Sequence, residues 1–287
     1  MAINIHFFRD SNLEKLDFVK LLEFFDEQPN FKTYYTDDEV QIEYRDDDFK
    51  FSYRYLITKK SRVNQIYKLN PKYININFYL ELPVLIPSAL VKEILTLTQK
   101  ICKLFDLEIY NDAFTDVQPF NLTDVYVLFE ESRRKTIEEF GFQDKLPFPK
   151  DKLDAVCKYQ RSVAELREYY HNEVEVKLCE PILDTVTHEY GISTTWDVGK
   201  PMIFPPHLSY VYIKEEQNLP FLVRREDFMS IVGKYLIEIV NFAPDMYILK
   251  PKQAKAAKKT VSKLRKVAII DQNFKAVRLS NLIDIEN

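Results

Sequence analysis

A segment that occurs twice constrains the fold of this chain more than any other feature of its sequence. Residues 73–110 align without a gap on residues 210–247, and eight of the 38 aligned positions are identical, whereas average residue usage would give roughly two to three. Because an internal repeat indicates supersecondary units built on one plan, the sequence predicts an internal duplication. The identical pairs are Tyr73/Tyr210, Ile76/Ile213, Leu82/Leu219, Pro83/Pro220, Leu85/Leu222, Ile94/Ile231, Phe105/Phe242 and Tyr110/Tyr247.

The first copy is predicted to belong to an α+β lobe. An S-x-x-E capping box at residues 11–14 predicts the start of a helix. Alternating apolar residues predict a hairpin around residues 46–48 and a strand over residues 74–82. Apolar residues at helical spacing predict a helix from Ser88, and a short strand at residues 107–109 follows.

The second lobe is predicted to repeat this order of elements. Pro181 suits the first turn of a helix, which Gly191 would end. Strands are predicted at residues 192–196 and 201–204, before the repeated segment. The predicted fold class is therefore α+β, with two related lobes, each roughly α-β-β-β-α-β with a mainly antiparallel sheet.

The segments between and after the lobes complete the predicted organisation. Helices are predicted from Thr123 to Phe140 and from Asp151, with Gly141 ending the first of them. The prolines of residues 146–149 favour an extended boundary. The predicted divisions are a first lobe at residues 1–120, a helical connector at residues 121–172, a second lobe at residues 173–249, and a basic segment with a C-terminal hairpin at residues 250–287.

Glycine is scarce, and this excludes several classes of phosphate-binding and catalytic loop. Only Gly141, Gly191, Gly199 and Gly233 occur among 287 residues, and no two of them lie within seven residues of each other. Loops that cradle phosphates need clustered glycines, so that the backbone can turn tightly and approach the ligand. The sequence therefore contains no P-loop, dinucleotide fingerprint, kinase-type loop or G-x-S-x-G elbow.

The cysteines indicate the compartment. The sequence has three cysteines, Cys102, Cys157 and Cys179, which lie far apart among apolar neighbours. An odd number of separated cysteines in apolar surroundings predicts buried free thiols in a reducing cytoplasm. Without a C-x-x-C pair, a zinc ribbon is not expected, and we predict neither a metal nor a cofactor. No apolar run approaches the roughly 18 residues that cross a bilayer, so a soluble protein that does not bind membranes is expected.

Residues 250–266, the basic segment, stand out in composition. They hold eight of the 40 basic residues and none of the 44 acidic ones, so the rest of the chain carries a formal charge of −12. As a helix, the segment would separate an apolar face from a lysine face that attracts nucleic-acid phosphates or an acidic protein. It could instead be a solvated helix or one that neutralises its own acidic chain. The lysine face consists of Lys255, Lys258, Lys259, Lys263 and Lys266, opposite Ala254, Ala257, Val261 and Leu264.

A second candidate site lies in the helix predicted from Pro181. Asp184 and His188 would share a face of this helix, with Glu189 adjacent, an arrangement that suits a carboxylate-oriented imidazole or two metal ligands. Local hydrogen bonding of the histidine is the alternative. Trp196 follows at the end of a predicted strand, where it is either an exposed binding anchor or a buried residue that seals its lobe.

These observations assign no catalytic residue and leave enzymatic activity open. The absence of common catalytic motifs, the repeat and the 21 Phe and 18 Tyr favour a non-enzymatic protein that binds a macromolecule, a protein in preference to a nucleic acid. One alternative is a nucleic-acid-associated protein that uses residues 250–266. The other is a hydrolase or nuclease with a non-contiguous site near Asp184 and His188.

Overall fold

Two prolines, Pro147 and Pro149, lie where the chain divides. The computed structural model describes residues 1–240 and 242–285, and its two units are Met1–Leu146 and Pro147–Asn287. Both units combine helices with sheets, and most of their strand pairs are antiparallel, which confirms the α+β class. Among the described residues, no helix has both the length and the apolar composition that a bilayer span requires.

The first unit contains a seven-stranded antiparallel sheet of order β2-β3-β4-β5-β1-β6-β7. The strands are β1 (Ala2–Asp10), β2 (Phe31–Tyr35), β3 (Glu39–Asp46), β4 (Phe51–Thr58), β5 (Tyr73–Pro83), β6 (Glu108–Tyr110) and β7 (Gln118–Pro119). The helices are α1 (Phe18–Asp26), α2 (Ser88–Phe105) and α3 (Leu122–Phe140). The last two agree with the predicted helices, and Gly141, with φ +67°, ends α3 as predicted.

Strand β1, inside this sheet, is absent from the sequence prediction. It pairs with β5 on one side and with β6 on the other. Its residues Ile3, Ile5 and Phe7 alternate along the sequence and are all buried. Alternating apolar residues are a signal for a strand, and the sequence from Ile3 to Phe7 carries that signal.

Helix α1 begins later than predicted. Its first residue is Phe18, and the side chain of Asp17 caps it by accepting hydrogen bonds from the backbone N–H groups of Val19 (3.0 Å) and Lys20 (3.3 Å). The predicted capping box at residues 11–14 is therefore wrong. The chain there follows an Asx turn, in which Asp10 Oδ1 accepts a hydrogen bond from the Asn12 backbone N–H at 2.9 Å, and such a turn competes with helix formation.

Aromatic side chains form much of the core of the first unit. Phe7 and Phe78 stack with their ring centroids 4.6 Å apart, and Phe25 of α1 lies 5.0 Å from the ring of Tyr55. The Tyr55 hydroxyl also forms a hydrogen bond with Thr98 Oγ1 of α2 at 2.9 Å. Both helices therefore pack on the same face of the sheet, because each contacts the side chain of Tyr55.

The hairpin predicted around residues 46–48 is confirmed. Strands β3 and β4 pair in antiparallel register over their full lengths. The Asp46 carboxylate fixes the turn by accepting a hydrogen bond from the Phe49 backbone N–H at 2.8 Å. Asp side chains commonly accept hydrogen bonds from the backbone of a tight turn, so Asp46 has a structural role there.

The second unit contains smaller sheets of orders β14-β13-β11-β10-β17, β15-β16-β12-β9 and β18-β8, in which β11/β13 and β9/β12 are parallel pairs. Its strands are β8 (Leu146–Pro149), β9 (Glu175–Val176), β10 (Glu180–Asp184), β11 (Tyr190–Asp197), β12 (Met202–Phe204), β13 (Leu208–Lys214), β14 (Phe221–Arg224), β15 (Ile237–Glu238), β16 (Tyr247–Leu249), β17 (Phe274–Ala276) and β18 (Leu282–Ile285). Its helices are α4 (Lys150–Tyr169), α5 (Arg225–Val232), α6 (Pro251–Ala257) and α7 (Val261–Lys266).

The C-terminal hairpin predicted between residues 267–270 and 276–279 is wrong. Strand β17 pairs with β10 instead, and Ile269 forms an isolated antiparallel bridge with Leu222 of β14. Pairing with strands of the existing sheet lets Phe274 pack on Tyr210, with ring centroids 5.0 Å apart. An isolated two-stranded hairpin would be marginal in water.

The two copies of the repeated segment have different secondary structures. Residues 73–110 form one 11-residue strand, a long helix and a short strand, whereas residues 210–247 form a hairpin, a short helix and two further short strands. The duplication into two lobes is therefore not confirmed. The cysteines do agree with prediction, because all three are buried free thiols.

Candidate functional site

The basic segment is helical and amphipathic, as predicted. It forms α6 and α7, joined by a 3₁₀ turn at Lys258–Thr260. Its predicted apolar residues Ala254, Ala257, Val261 and Leu264 are all buried. Burial of one side of a helix leaves the opposite side in solvent, and this geometry presents the lysine face outward.

The lysine face carries charge that the chain itself does not neutralise. Its first and last lysines, Lys255 and Lys266, are separated by about 16 Å of helical rise at about 1.5 Å per residue. Among the described residues, no carboxylate lies within 4.0 Å of any ammonium group of this face. Elsewhere in residues 250–266, Arg265 does pair with a carboxylate of the chain, that of Glu215, so the close ion pairing seen for this segment does not involve the lysine face. The exposed side chains are Lys255, Lys258, Lys259, Lys263 and Lys266.

A groove of about 520 Å³ adjoins the N-terminal part of the lysine face. Three elements contribute side chains to it: the turn after β11, the end of β13 with the residues that follow, and α6 with the residue after it. Both lysines and carboxylates line the groove, which makes its lining polar and mixed in charge. The charged residues of this lining are Asp197, Lys200, Lys214, Glu215, Glu216, Lys255 and Lys258.

Two carboxylates of this groove are held by other cations. Lys177 Nζ lies 2.5 Å from Asp197 Oδ2 and also donates to the backbone carbonyl of Thr195 at 2.8 Å. Burial raises the pKa of Asp197, but the hydrogen bond from Lys177 and the nearby lysines outweigh it and hold that pKa below its usual value. Glu215 is ion-paired with Arg265 of α7. Lys255 and Lys258 also line the groove, and neither has a described carboxylate within 4.0 Å of its ammonium group.

Trp196 is a core residue that positions the turn beside this groove. Its side chain has no exposed surface, and its ring packs edge-on against Phe228 at 6.0 Å. The indole Nε1–H donates a hydrogen bond to the backbone carbonyl of Lys200 at 3.1 Å. The buried alternative is therefore confirmed, and the exposed binding anchor is wrong. A buried indole commonly finds a partner of this kind.

The predicted helix that was to carry Asp184 and His188 is a β-hairpin. Ile182 and Leu183 lie in β10 and pair with β11, so their apolar side chains serve a sheet and not a helix. Asp184 Oδ1 caps the connecting loop by accepting hydrogen bonds from the backbone N–H groups of Val186 (2.8 Å) and Thr187 (3.3 Å). The Val186 N–H, more than any other group, lowers the pKa of Asp184.

His188 and Glu189 are exposed in the same hairpin loop. His188 has φ +58°, and Glu189 accepts a hydrogen bond from the Asp184 backbone N–H through its backbone carbonyl at 2.7 Å. The Asp184 carboxylate is occupied by the loop backbone, so the shared helix face predicted for Asp184 and His188 is wrong. No cluster of three or more His, Cys, Asp or Glu side chains that could hold a metal ion occurs among the described residues.

A cavity of about 410 Å³ in the first unit also contains ionisable groups. Lys72 Nζ lies 3.1 Å from Asp10 Oδ2, and the Asn12 backbone N–H and Lys72 lower the pKa of Asp10. Burial raises the pKa of Glu108 and of the Cys102 thiol. A thiol with a raised pKa stays protonated at neutral pH and is a poor nucleophile, so Cys102 is not an activated nucleophile.

Sequence reasoning found the lysine face but missed the groove beside it. The lysines recur at helical spacing within one segment, so periodicity alone places them together. Asp197, Lys200 and Lys214 come from a turn and from a strand end. No spacing rule connects such positions to residues 255 and 258, because only the packing of separate elements brings them together.

Comparison with known proteins identifies no relative, so the assignment of a function depends on the geometry of the site. No family model, no curated protein and no solved structure matches the chain. The feature with the strongest physical signature is therefore the lysine face with its adjoining groove.

Proposed function

We propose that this protein is a non-enzymatic, cytoplasmic binding protein that docks an acidic protein partner on the lysine face. One observation carries the proposal: the lysine face is exposed, and no described carboxylate lies within 4.0 Å of its ammonium groups, while its opposite side is buried. Charge that a fold does not neutralise is available to a partner of opposite sign.

The expected contribution of this face is to association rate and specificity. An exposed ion pair contributes about 0–1 kcal/mol, so five lysines supply a few kcal/mol at low salt. Complementary charges also steer diffusional encounter and raise the association rate constant. Binding should weaken as ionic strength rises, because exposed charges more than about 10 Å apart are screened at about 0.1 M salt.

The surroundings of the face favour a protein over a nucleic acid. Asp197, Glu215 and Glu216 line the adjoining groove together with lysines, so its lining carries both signs of charge. A protein surface carries both signs of charge and can complement a mixed groove. The lysine face includes no aromatic side chain on which nucleobases could stack.

The test is a charge-neutralising variant in which the five lysines of the face become Gln. We expect the affinity for a fluorescent poly-glutamate peptide, measured by anisotropy, to fall by roughly 10- to 100-fold at low salt. Unchanged affinity would contradict the proposal. The matched control replaces five exposed first-unit lysines that lack a close carboxylate among the described residues, and it should bind as the parent does. These control positions are Lys15, Lys32, Lys60, Lys68 and Lys135.

A nucleic acid is the second candidate, because the lysines recur every three to four residues along most of the segment. That spacing suits sequence-independent attraction to phosphates. If duplex DNA is the ligand, log K falls linearly with log salt concentration. The slope of that line should become shallower by about 0.9 for each lysine that is replaced. Tighter binding of duplex DNA than of poly-glutamate at equal salt would favour this candidate over the acidic protein.

A further inference from the structure

We infer that the surface next to the lysine face is an apolar anchor, and that the partner is an acidic amphipathic segment of a protein. The anchor consists of Leu219, Phe221 and Ile270. This inference rests on the proposed function and names the kind of partner that the function requires.

The three side chains leave apolar surface in contact with solvent. Leu219 is 88% exposed and Ile270 is 70% exposed, and Phe221 is half-buried. Single exposed hydrophobic residues are common on protein surfaces, but a cluster rimmed by charges marks an interaction site. Whether these residues form a cluster depends on their positions in the fold.

Strand register brings them together. The Ile269 backbone N–H donates to the Leu222 carbonyl at 2.9 Å, and the two residues form an antiparallel bridge. In an antiparallel pair, the residue after one partner lies opposite the residue before the other, so Ile270 lies opposite Phe221. Leu219 precedes Phe221 by two residues, a distance of about 7 Å along an extended chain.

The anchor is continuous with the lysine face. The guanidinium of Arg265, on α7, lies over the Phe221 ring at 4.7 Å from its centroid, and the same group pairs with Glu215. Lys266 is the last residue of α7, and only three residues separate it from Ile270. A partner that covers the C-terminal end of the lysine face would therefore also reach the apolar side chains.

The energetics explain why such a partner needs both chemistries. Exposed lysines steer a partner but add little affinity each, whereas a few buried apolar side chains at the centre of an interface supply most of its binding energy. A helix with Glu on one face and Leu on the other would place carboxylates on the lysines and a leucine on the anchor. Helix-in-groove recognition reads such residues at helical spacing.

The experiment uses the full-length protein and two synthetic peptides. One is an amphipathic helix of Glu with Leu at helical spacing, and the other has every Leu replaced by Ser. The double variant Leu219→Ser/Ile270→Ser should bind the Leu peptide about 10- to 100-fold more weakly than the parent does. Its affinity for the Ser peptide should not change. The control variant Val186→Ser replaces an exposed apolar residue of the other hairpin and should bind both peptides as the parent does.

The outcomes separate this inference from the proposed function. If the double variant binds the Leu peptide as tightly as the parent does, the apolar anchor is wrong, even where the lysine-to-Gln variant loses binding. If the lysine-to-Gln variant binds both peptides as the parent does, the proposed function is wrong, and the inference that rests on it is wrong too. Loss of Leu-peptide binding in the anchor variant, with the Ser peptide unaffected, supports the inference.

Discussion

Residues 73–110 and 210–247 share eight identical positions but not a fold, and the reason lies in the positions that differ. Leu82 has no exposed surface near the end of β5, whereas its counterpart Leu219 is 88% exposed beyond the end of β13. In the middle of β5, Phe78, Tyr79 and Leu80 are all buried. Their counterparts are polar or charged, so they cannot enter a core. These counterparts are Glu215, Glu216 and Gln217.

The helices of the two segments diverge for a similar reason. Helix α2 has 18 residues, while α5 has only eight and is followed directly by Gly233. Glycine within a helix costs about 1 kcal/mol relative to alanine, and the aligned residue of α2 is Thr96. Identities at apolar and prolyl positions therefore do not establish equivalent structure, because a strand or helix needs its whole periodic pattern to stay buried.

The largest expected contrast between the segments is at their identical leucines. Leu82→Ala should lower the free energy of unfolding by about 2–5 kcal/mol, because it removes a fully buried side chain and leaves a cavity. Leu219→Ala should change it by less than about 0.5 kcal/mol, since the leucine is already in solvent. Denaturant unfolding followed by far-UV circular dichroism measures both. Equal losses would show that the two positions are structurally equivalent after all.

The second contrast is a pH dependence tied to the first segment. His6 lies in β1 beside Tyr79, with ring centroids 5.2 Å apart, whereas the counterpart of Tyr79 is the exposed Glu216. Burial lowers the pKa of His6 to about 4, with Asp112 opposing this shift and Arg62 adding to it. The unfolded chain therefore binds the proton first as the pH falls.

The contribution of His6 to the free energy of unfolding should accordingly be fully present above about pH 6.5. It should decline as the pH falls towards about 4, by an amount on the order of 2–3 kcal/mol. The variant His6→Gln should lose this part of the pH dependence. The comparison is the slope of unfolding free energy against pH for parent and variant, so any constant cost of the substitution cancels. Parallel slopes for the two proteins would exclude His6 as the source.

The third contrast concerns the strand that accompanies the second segment. Gly191 of β11 faces Ser209, and a Cβ at residue 191 would overlap both Oγ and Cβ of that serine. Gly191→Ala should therefore destabilise the second unit by about 1–3 kcal/mol through overpacking. Unfolding followed by fluorescence of Trp196, the only tryptophan, reports on the same strand.

A second substitution provides the control for Gly191. Ser209→Gly removes the side chain that the new Cβ would meet, so the double variant should recover part of the loss. The non-additivity measures the contact between the two positions directly. Additive effects would mean that the close approach of β11 and β13 is not what requires glycine there.

Local patterns predicted the elements whose residues are close in sequence. The β3–β4 hairpin, α2, α3 and the apolar side of the basic segment all follow from periodicity, because one face of each is buried. Patterns failed at Pro181 and Ile182, where the same residues suit a helix start or a strand. Pairing with β11 and β17 decides for the strand, and an apolar run of that length does not distinguish the two.

The sequence by itself determined the lysine face, since residues 250–266 carry eight basic residues, no acidic residue and an apolar stripe at helical spacing. Only the tertiary structure decided what surrounds it. The groove and the apolar anchor come from turns and strand ends that are distant along the chain, and Trp196 became a core residue through its contact with Phe228. Periodicity reports which face of one element is buried, whereas a surface built from several elements depends on how they pack.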